Sequence, residues 1–163
     1  MIPLFYISAI VAVVSTLMVI TRTRAVHALL YLIVSLLAVA LIFFTLGAPF
    51  VAALEVIIYA GAIMVLFIFV IMMLNLGAEA AEQETQLLKP GIWIGPSLLC
   101  TVLVVELLYL FTSVRQPVSV DVVSPKQVGI ALFGPYVVGV ELASILLLAG
   151  LVGAYHLGRP HKH

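Results

Sequence analysis

Charge is scarce in this sequence. Only 9% of its 163 residues are charged, whereas 65% are hydrophobic; a typical soluble domain is about 25% charged and roughly 45–50% apolar. A chain of this length could not keep so many apolar side chains away from water in its own core. Lipid must therefore be the solvent for most of the chain, and we expect no soluble domain.

Cysteine and an excess of one charge are also missing. Seven cationic and seven anionic residues give a net charge of zero, so there is no basic patch for nucleic acid. The single Cys100 excludes an intrachain disulfide and a cysteine-built metal or iron–sulfur site. The sequence has no phosphate loop, no GxGxxG motif and no serine–histidine constellation, so we predict that the chain alone has no catalytic activity.

What the sequence does have is apolar runs long enough to cross a membrane, which takes roughly 20 helical residues. Five runs qualify, at 2–20, 25–46, 50–75, 91–113 and 135–157. The first has neither a basic segment before it nor a clear cleavage site, so we interpret it as a span rather than a signal peptide. The predicted fold class is all-α, a polytopic membrane protein with five transmembrane helices in one domain, residues 1–163, within the lipid bilayer.

Turn and cap signals separate the runs. Gly47-Ala48-Pro49 punctuates the connection between the second and third runs. In the last loop, Pro117–Ser124 partly alternates between apolar and polar residues, which indicates a short strand. Ser124-Pro125-Lys126-Gln127 then has the pattern of a capping box with proline at the first helical position. This pattern predicts a short helix that ends near Gly134.

The lysine and arginine residues beside the spans predict the orientation. Loops 21–24 and 76–90 and the C-terminal tail lie on one face, and the opposite face carries only Arg115 and Lys126. The cations on the first face are Arg22, Arg24, Lys89, Arg159 and Lys162. This bias predicts an N-terminus outside and a C-terminus in the cytoplasm.

Three glutamates, Glu55, Glu106 and Glu141, fall inside the predicted spans. An ionisable group in lipid is costly, so it usually faces protein or water and often marks an ion path. At about 1.5 Å per residue, all three lie at similar depth, roughly 7–11 Å below the outer surface. Because the three glutamates share this depth, we predict that they form a polar layer within a larger assembly. Alternatively, each glutamate pairs with a neighbouring subunit or reaches the outer interface.

The third run has further unusual residues beside Glu55. Tyr59 lies one turn later on the same helix face, where it either positions a carboxylate or a water, or packs against the next helix. Ala60-Gly61-Ala62 places small residues in mid-span, where glycine costs about 1 kcal/mol relative to alanine. These residues either let two helices pack closely or mark a weak point that accommodates a π-bulge, which is often found at functional sites.

Several stretches resemble one family. Ala25–Tyr31 resembles the start of the second helix in the J subunit of bacterial NADH:quinone oxidoreductase, respiratory complex I, whose mitochondrial counterpart is chain 6. Ala53–Phe67 resembles the third-helix signature of that family, with a glutamate, a tyrosine and a glycine at fixed offsets. Leu132–Tyr136, Val140–Ser144 and Leu147–Gly150 resemble its last helix. The likeness covers nearly the whole chain.

The resemblance implies a membrane-arm subunit of a proton-pumping NADH:quinone oxidoreductase in the bacterial inner membrane. FMN, the iron–sulfur clusters and quinone would be bound by other subunits, so this chain is expected to bind no cofactor and to be a non-catalytic part of the enzyme. Its expected partners are other subunits of the complex, especially the A, H, K and N membrane subunits.

The resemblance also implies that the third span converts between a straight α-helix and a π-bulge and thereby gates a water path. One residue inserted in a turn shifts the register beyond it by about 100°. Met64 and Phe67 would then change faces, and an apolar side chain that swings into a narrow passage dries it. The residues predicted for the proton path or coupling are Glu55, Tyr59, Gly61, Met64, Phe67 and Glu141.

Two other functions fit the same residues. One is a membrane subunit of a related hydrogenase or multisubunit cation antiporter, although the third-span signature favours the NADH:quinone oxidoreductase. The other is a purely structural scaffold, which would tolerate rigidifying changes at Gly61. Glu106 lies outside the pattern of the family and takes no role from the resemblance.

Overall fold

The computed structural model describes residues 2–74, 90–113 and 122–158. Within these ranges all regular structure is helical, and five helices have the length and composition needed to cross a membrane. These observations confirm the all-α polytopic fold class, while the orientation of the termini stays a prediction. The predicted strand at 117–124 lies mostly outside the described residues, and its last three residues form no strand.

The helices are as follows, in chain order. Helix α1 spans Ile2–Thr21 and α2 spans Ala25–Thr45. The third span has three parts, α3 at Pro49–Leu54, a π-helix (π1) at Glu55–Ile63 and α4 at Met64–Leu74. Helix α5 spans Pro90–Ser113, α6 spans Pro125–Phe133 and α7 spans Val137–Gly158.

Helix α2 ends in a hydrogen-bonded turn that favours glycine. The Ala48 N–H donates to the Phe43 carbonyl at 3.0 Å, and the Gly47 N–H donates to the Phe44 carbonyl at 3.1 Å. These two bonds form a Schellman motif. Gly47 has a φ of 83°, which glycine adopts at little steric cost because it lacks a Cβ. Pro49 then begins α3 at a position where its missing N–H is no loss.

Small and polar residues hold α1 against α2. The Ser35 hydroxyl donates to the Ala12 carbonyl at 3.2 Å and lies 2.9 Å from the Thr16 hydroxyl. Small residues let helix backbones approach in a membrane, and hydroxyl groups bond across the interface. Helix α5 completes the core, which contains Val11, Ala12, Val34, Ala38 and Leu103.

Helix α5 lies close against α2 at Gly95. A Cβ on Gly95 would fall on the phenol oxygen of the buried Tyr31 and lie 3.0 Å from its Cζ. The Arg22 guanidinium lies 5.4 Å from the centroid of the Tyr31 ring, a cation–π distance, and the centroid of the His27 ring lies 5.1 Å from that of Tyr31. The contact between α2 and α5 therefore depends on the absence of a side chain at position 95.

The chain divides into two compact units, Met1–Val122 and Val123–His163. In the second unit, the Gln127 N–H donates to the Ser124 hydroxyl at 3.3 Å, and the Ser124 N–H donates to the Gln127 side chain at 2.8 Å. This reciprocal pair is a capping box at the start of α6, with Pro125 in the first turn. It confirms the predicted box, and α6 ends beside Gly134 as expected. Residues 134–136 form a turn, so α7 starts after the predicted position 135.

Candidate functional site

The third span is not a uniform α-helix. From Glu55 to Ile63 its backbone is a π-helix of 9 residues. At its end, the Met64 N–H donates to the carbonyl of Tyr59, five residues earlier, as well as to that of Gly61. Such segments are rare, usually a single turn long, and frequent at functional sites. The sequence leaves two interpretations open for Ala60-Gly61-Ala62, close packing of two helices or a π-bulge. The described backbone at these residues is a π-helix.

Gly61 lies inside π1, where space is limited by the helix itself. A Cβ there would lie 3.2 Å from the Val56 carbonyl oxygen, closer than an ordinary van der Waals contact. Within the described part of the chain, no atom of another helix lies within 4 Å of that Cβ position. The glycine is therefore explained by the π backbone rather than by close packing of two helices of this chain.

The polar side chains of π1 sit at the surface of this chain. Glu55 is partly exposed, and Tyr59 is 50% exposed. Both groups are thus available to water, lipid or another protein chain at the depth of the span.

Two apolar side chains follow π1 and differ in burial. Met64, the first residue of α4, is 2% exposed, whereas Phe67, three residues later, is 50% exposed. Helix α4 packs against α2, so Met64 is covered within this chain.

Glu141 belongs to the second unit. It lies about one turn after the start of α7, and its side chain is exposed. Its place in a polar layer with Glu55 stays a prediction.

Glu106 is the carboxylate that sequence reasoning left without a role. It is 5% exposed, and Ser8, which is 1% exposed, donates its hydroxyl to Glu106 Oε2 at 2.8 Å. Ser8 lies about as far from the start of α1 as Glu106 lies from the end of α5. This matching depth is the signal by which the sequence could have paired them.

An apolar groove lies beside the helix turns that carry Glu55 and Glu106. Val56 and Leu107, their neighbours in sequence, line one apolar groove of about 350 Å³ beside Leu103 and Leu41. The polar layer expected for the three glutamates stays a prediction.

A polar cavity lies at the opposite end of the first unit. Its volume is about 270 Å³, and Arg22, Arg24, His27 and Gly91 are among its lining residues. His27 is buried, and its Nε2 has no hydrogen-bond partner in the described structure. The cavity is polar and large enough to hold water. Across residues 2–74, 90–113 and 122–158, no three His, Cys, Asp or Glu side chains group in a way that could hold a metal ion.

Comparison with known proteins confirms the resemblance seen in the sequence. Residues 15–157 match the family of NADH-ubiquinone/plastoquinone oxidoreductase chain 6. The chain is 58% identical over 159 residues to NADH-quinone oxidoreductase subunit J of Escherichia coli (strain K12), which covers 97% of this chain and 86% of that protein. It is 61% identical over 159 residues to subunit J of Pseudomonas aeruginosa, covering 95% of each. The chain therefore belongs to the NADH-ubiquinone/plastoquinone oxidoreductase chain 6 family.

Proposed function

We propose that this chain couples quinone reduction to proton translocation in the membrane arm of a proton-pumping NADH:quinone oxidoreductase. Membership of the chain 6 family and five helices able to cross a membrane support a multi-pass subunit of that enzyme. The observation that carries the coupling role is π1, because it coincides with the glutamate, tyrosine and glycine of the third-span signature.

The proposed coupling step is conversion of the third span between the π form and a straight α-helix. Loss of the extra residue from the turn would rotate α4 by about 100° relative to α3. Met64 would leave its covered position and Phe67 would change faces. An apolar side chain that enters a narrow passage expels water and blocks proton transfer, and its departure lets water return.

In this proposal the chain supplies polar groups and a gate, and no redox group. Glu55, Tyr59 and Glu141 contribute to the proton path, while Met64 and Phe67 control its water content. FMN, the iron–sulfur clusters and quinone are bound by other subunits. The chain has no catalytic activity alone.

The proposed setting is the bacterial inner membrane, with the N-terminus outside and the C-terminus in the cytoplasm. The neighbours we propose are the A, H, K and N membrane subunits. The exposed apolar surfaces of the third and fifth spans support contacts with lipid and other subunits, because little of either span is covered within its own unit.

A substitution at Glu55 tests the proposal. Glu55→Gln removes the titratable group and keeps the size of the side chain, so we expect proton pumping to fall severalfold. NADH oxidation by artificial acceptors should be unchanged, because that reaction uses the peripheral cofactors alone. Glu55→Asp, which keeps a carboxylate, is the matched control and should retain more pumping. Full pumping by assembled Glu55→Gln complex would remove Glu55 from the proton path.

A further inference from the structure

The polar cavity at the start of α2, which we call the arginine cleft, has cationic side chains in its wall. The residues that line it are Arg22, Thr23, Arg24, His27, Gly91 and Ile92. Its volume is about 270 Å³, far above the roughly 10–15 Å³ that admits a single water molecule. Because Arg22, Thr23 and Arg24 are exposed, the cleft is open on one side and has room for a group the size of a phosphate.

The arginines of the cleft have no carboxylate beside them in the described structure. Within residues 2–74 and 90–113 the carboxylates are Glu55 and Glu106. Glu106 lies fifteen residues after Gly91, roughly 22 Å along α5, and Glu55 follows the turn at the other end of α2. The cleft is therefore positively charged, and this charge favours an anionic ligand.

Arg22 is held at the cleft by contacts that leave its charge in place. Its Nη2 donates to the Met18 sulfur at 3.2 Å, and its guanidinium lies 5.4 Å from the centroid of the Tyr31 ring. Neither partner is an anion, so the guanidinium keeps donors for a ligand. A guanidinium is planar and presents five N–H donors in a fork that matches the oxygens of a phosphate. A phosphate is therefore the anion that suits Arg22 and Arg24.

His27 gives a second, independent indication that the cleft takes a polar ligand. Its side chain is 8% exposed and lines the cleft, and its Nε2 has no hydrogen-bond partner in the described structure. A buried polar atom of this kind calls for a water or an ion, and the cleft provides space for one. His27 lies in the first turn of α2, where no side chain caps the helix and the helix N-terminus also favours an anion.

The apolar residues beside the cleft favour a lipid over a soluble phosphate. Ile20, in the last turn of α1, is 77% exposed, and Ile94, one turn into α5, is 67% exposed. Trp93 is 49% exposed, and tryptophan is enriched where a span meets the membrane surface. The cleft thus lies where a phospholipid presents its phosphate group, next to apolar surface for its acyl chains.

We propose that the arginine cleft binds the phosphate group of an anionic phospholipid. Arg22 and Arg24 bind the phosphate oxygens, and the Thr23 hydroxyl donates one further hydrogen bond. The acyl chains lie along the exposed apolar residues of α1 and α5. Basic pockets at the ends of transmembrane helices bind such headgroups in membrane proteins. The site does not depend on the proposed switch in the third span, so either can fail without the other.

The test is photocrosslinking of the assembled complex in phosphatidylcholine vesicles. A small fraction of the lipid is phosphatidylglycerol that carries a diazirine on an acyl chain near the headgroup. After illumination, peptide mass spectrometry measures the crosslinks to residues 17–24 and 91–94 per assembled complex. We expect a yield severalfold above that of phosphatidylcholine with the same diazirine, because the arginines repel the choline cation. Equal yields from the two lipids would overturn the proposal.

Substitution of the arginines tests which residues bind the phosphate. Arg24→Gln should lower the phosphatidylglycerol yield severalfold, and Arg24→Lys, which keeps the charge, should retain more of it. Arg24 is exposed, so its loss should not prevent assembly; Arg22→Gln is the second variant. Lys126→Gln is the matched control, because Lys126 is an exposed cation of α6, in the other unit. Equal yields from Arg24→Gln and Lys126→Gln would overturn the proposal.

Two further arms separate the lipid from other anions. An excess of free glycerol phosphate should leave the crosslinking yield unchanged, and its loss would make the cleft a site for a soluble phosphate. Joint replacement of Glu79, Glu82 and Glu84 by glutamine, at positions outside the described residues, should also leave the yield unchanged. A severalfold rise would mean that carboxylates of this chain occupy the cleft. Either deviation would overturn the proposal.

Discussion

At the scale of single residues, position 61 is constrained by one oxygen atom. The Val56 carbonyl oxygen would lie 3.2 Å from a Cβ on Gly61, so any side chain there pushes against the π backbone. Valine adds a branched side chain that is stiff at χ1, and overpacking of this kind costs about 1–3 kcal/mol. Since about 1.4 kcal/mol changes a population tenfold, the π form would become scarce.

We therefore predict that Gly61→Val assembles normally but has severalfold lower quinone reductase activity and proton pumping. Gly61→Ala should lose less activity. Ala62→Val is the control, because Ala62 is exposed in this chain and this variant keeps the glycine at position 61. The measurement is turnover in membranes per assembled complex on a native gel. Normal turnover would reject the switch, and failure to assemble would assign Gly61 to close packing between helices.

At the scale of elements, α5 can pack against Tyr31 of α2 because Gly95 has no side chain. A methyl group at this position overlaps the Tyr31 phenol, and the Tyr31 ring also lies close to Arg22 and His27. We predict that Gly95→Ala lowers the amount of assembled complex by about two- to tenfold, as expected for an overpacking cost of roughly 1 kcal/mol or more.

Gly91→Ala is the matched control for Gly95→Ala, since it lies one turn earlier on the same helix and a Cβ there meets nothing within 4 Å. Adding Tyr31→Phe to Gly95→Ala should restore part of the assembly, because the phenol oxygen is the atom closest to the new methyl group. Equal assembly of Gly95→Ala and Gly91→Ala would contradict the account of this contact.

The elements also show which features could be predicted from sequence. Long apolar runs revealed the spans because a bilayer demands a minimum length, and the capping box at Ser124 was visible because its signals are local. The π form of the third span was one of two open interpretations, since small residues at Gly61 suit both close packing and a π turn. The pair of Ser8 and Glu106 was missed because it depends on how α1 and α5 align in space.

At the scale of the whole molecule, each of the two units leaves much of its apolar surface uncovered. Large hydrophobic side chains are exposed along the third and fifth spans, for example Phe69 at 61% and Leu147 at 74%. Glu55 and Glu141 are also not covered by the unit to which each belongs. We predict that the isolated chain aggregates in detergent, whereas the chain co-purifies with a large complex. A stable, well-dispersed monomer would count against a subunit role.

If the third span changes its helical register during turnover, cysteine labelling in the assembled complex will detect the change. With Cys100→Ser as background, which leaves the chain without another cysteine, Phe67→Cys reports on α4 beyond π1, and Ala53→Cys reports on α3 before it. Both positions are exposed in this chain. We predict that NADH and quinone change the labelling rate at position 67 severalfold and leave the rate at position 53 unchanged. Equal rates at position 67 in the resting and the turning-over enzyme would contradict the account.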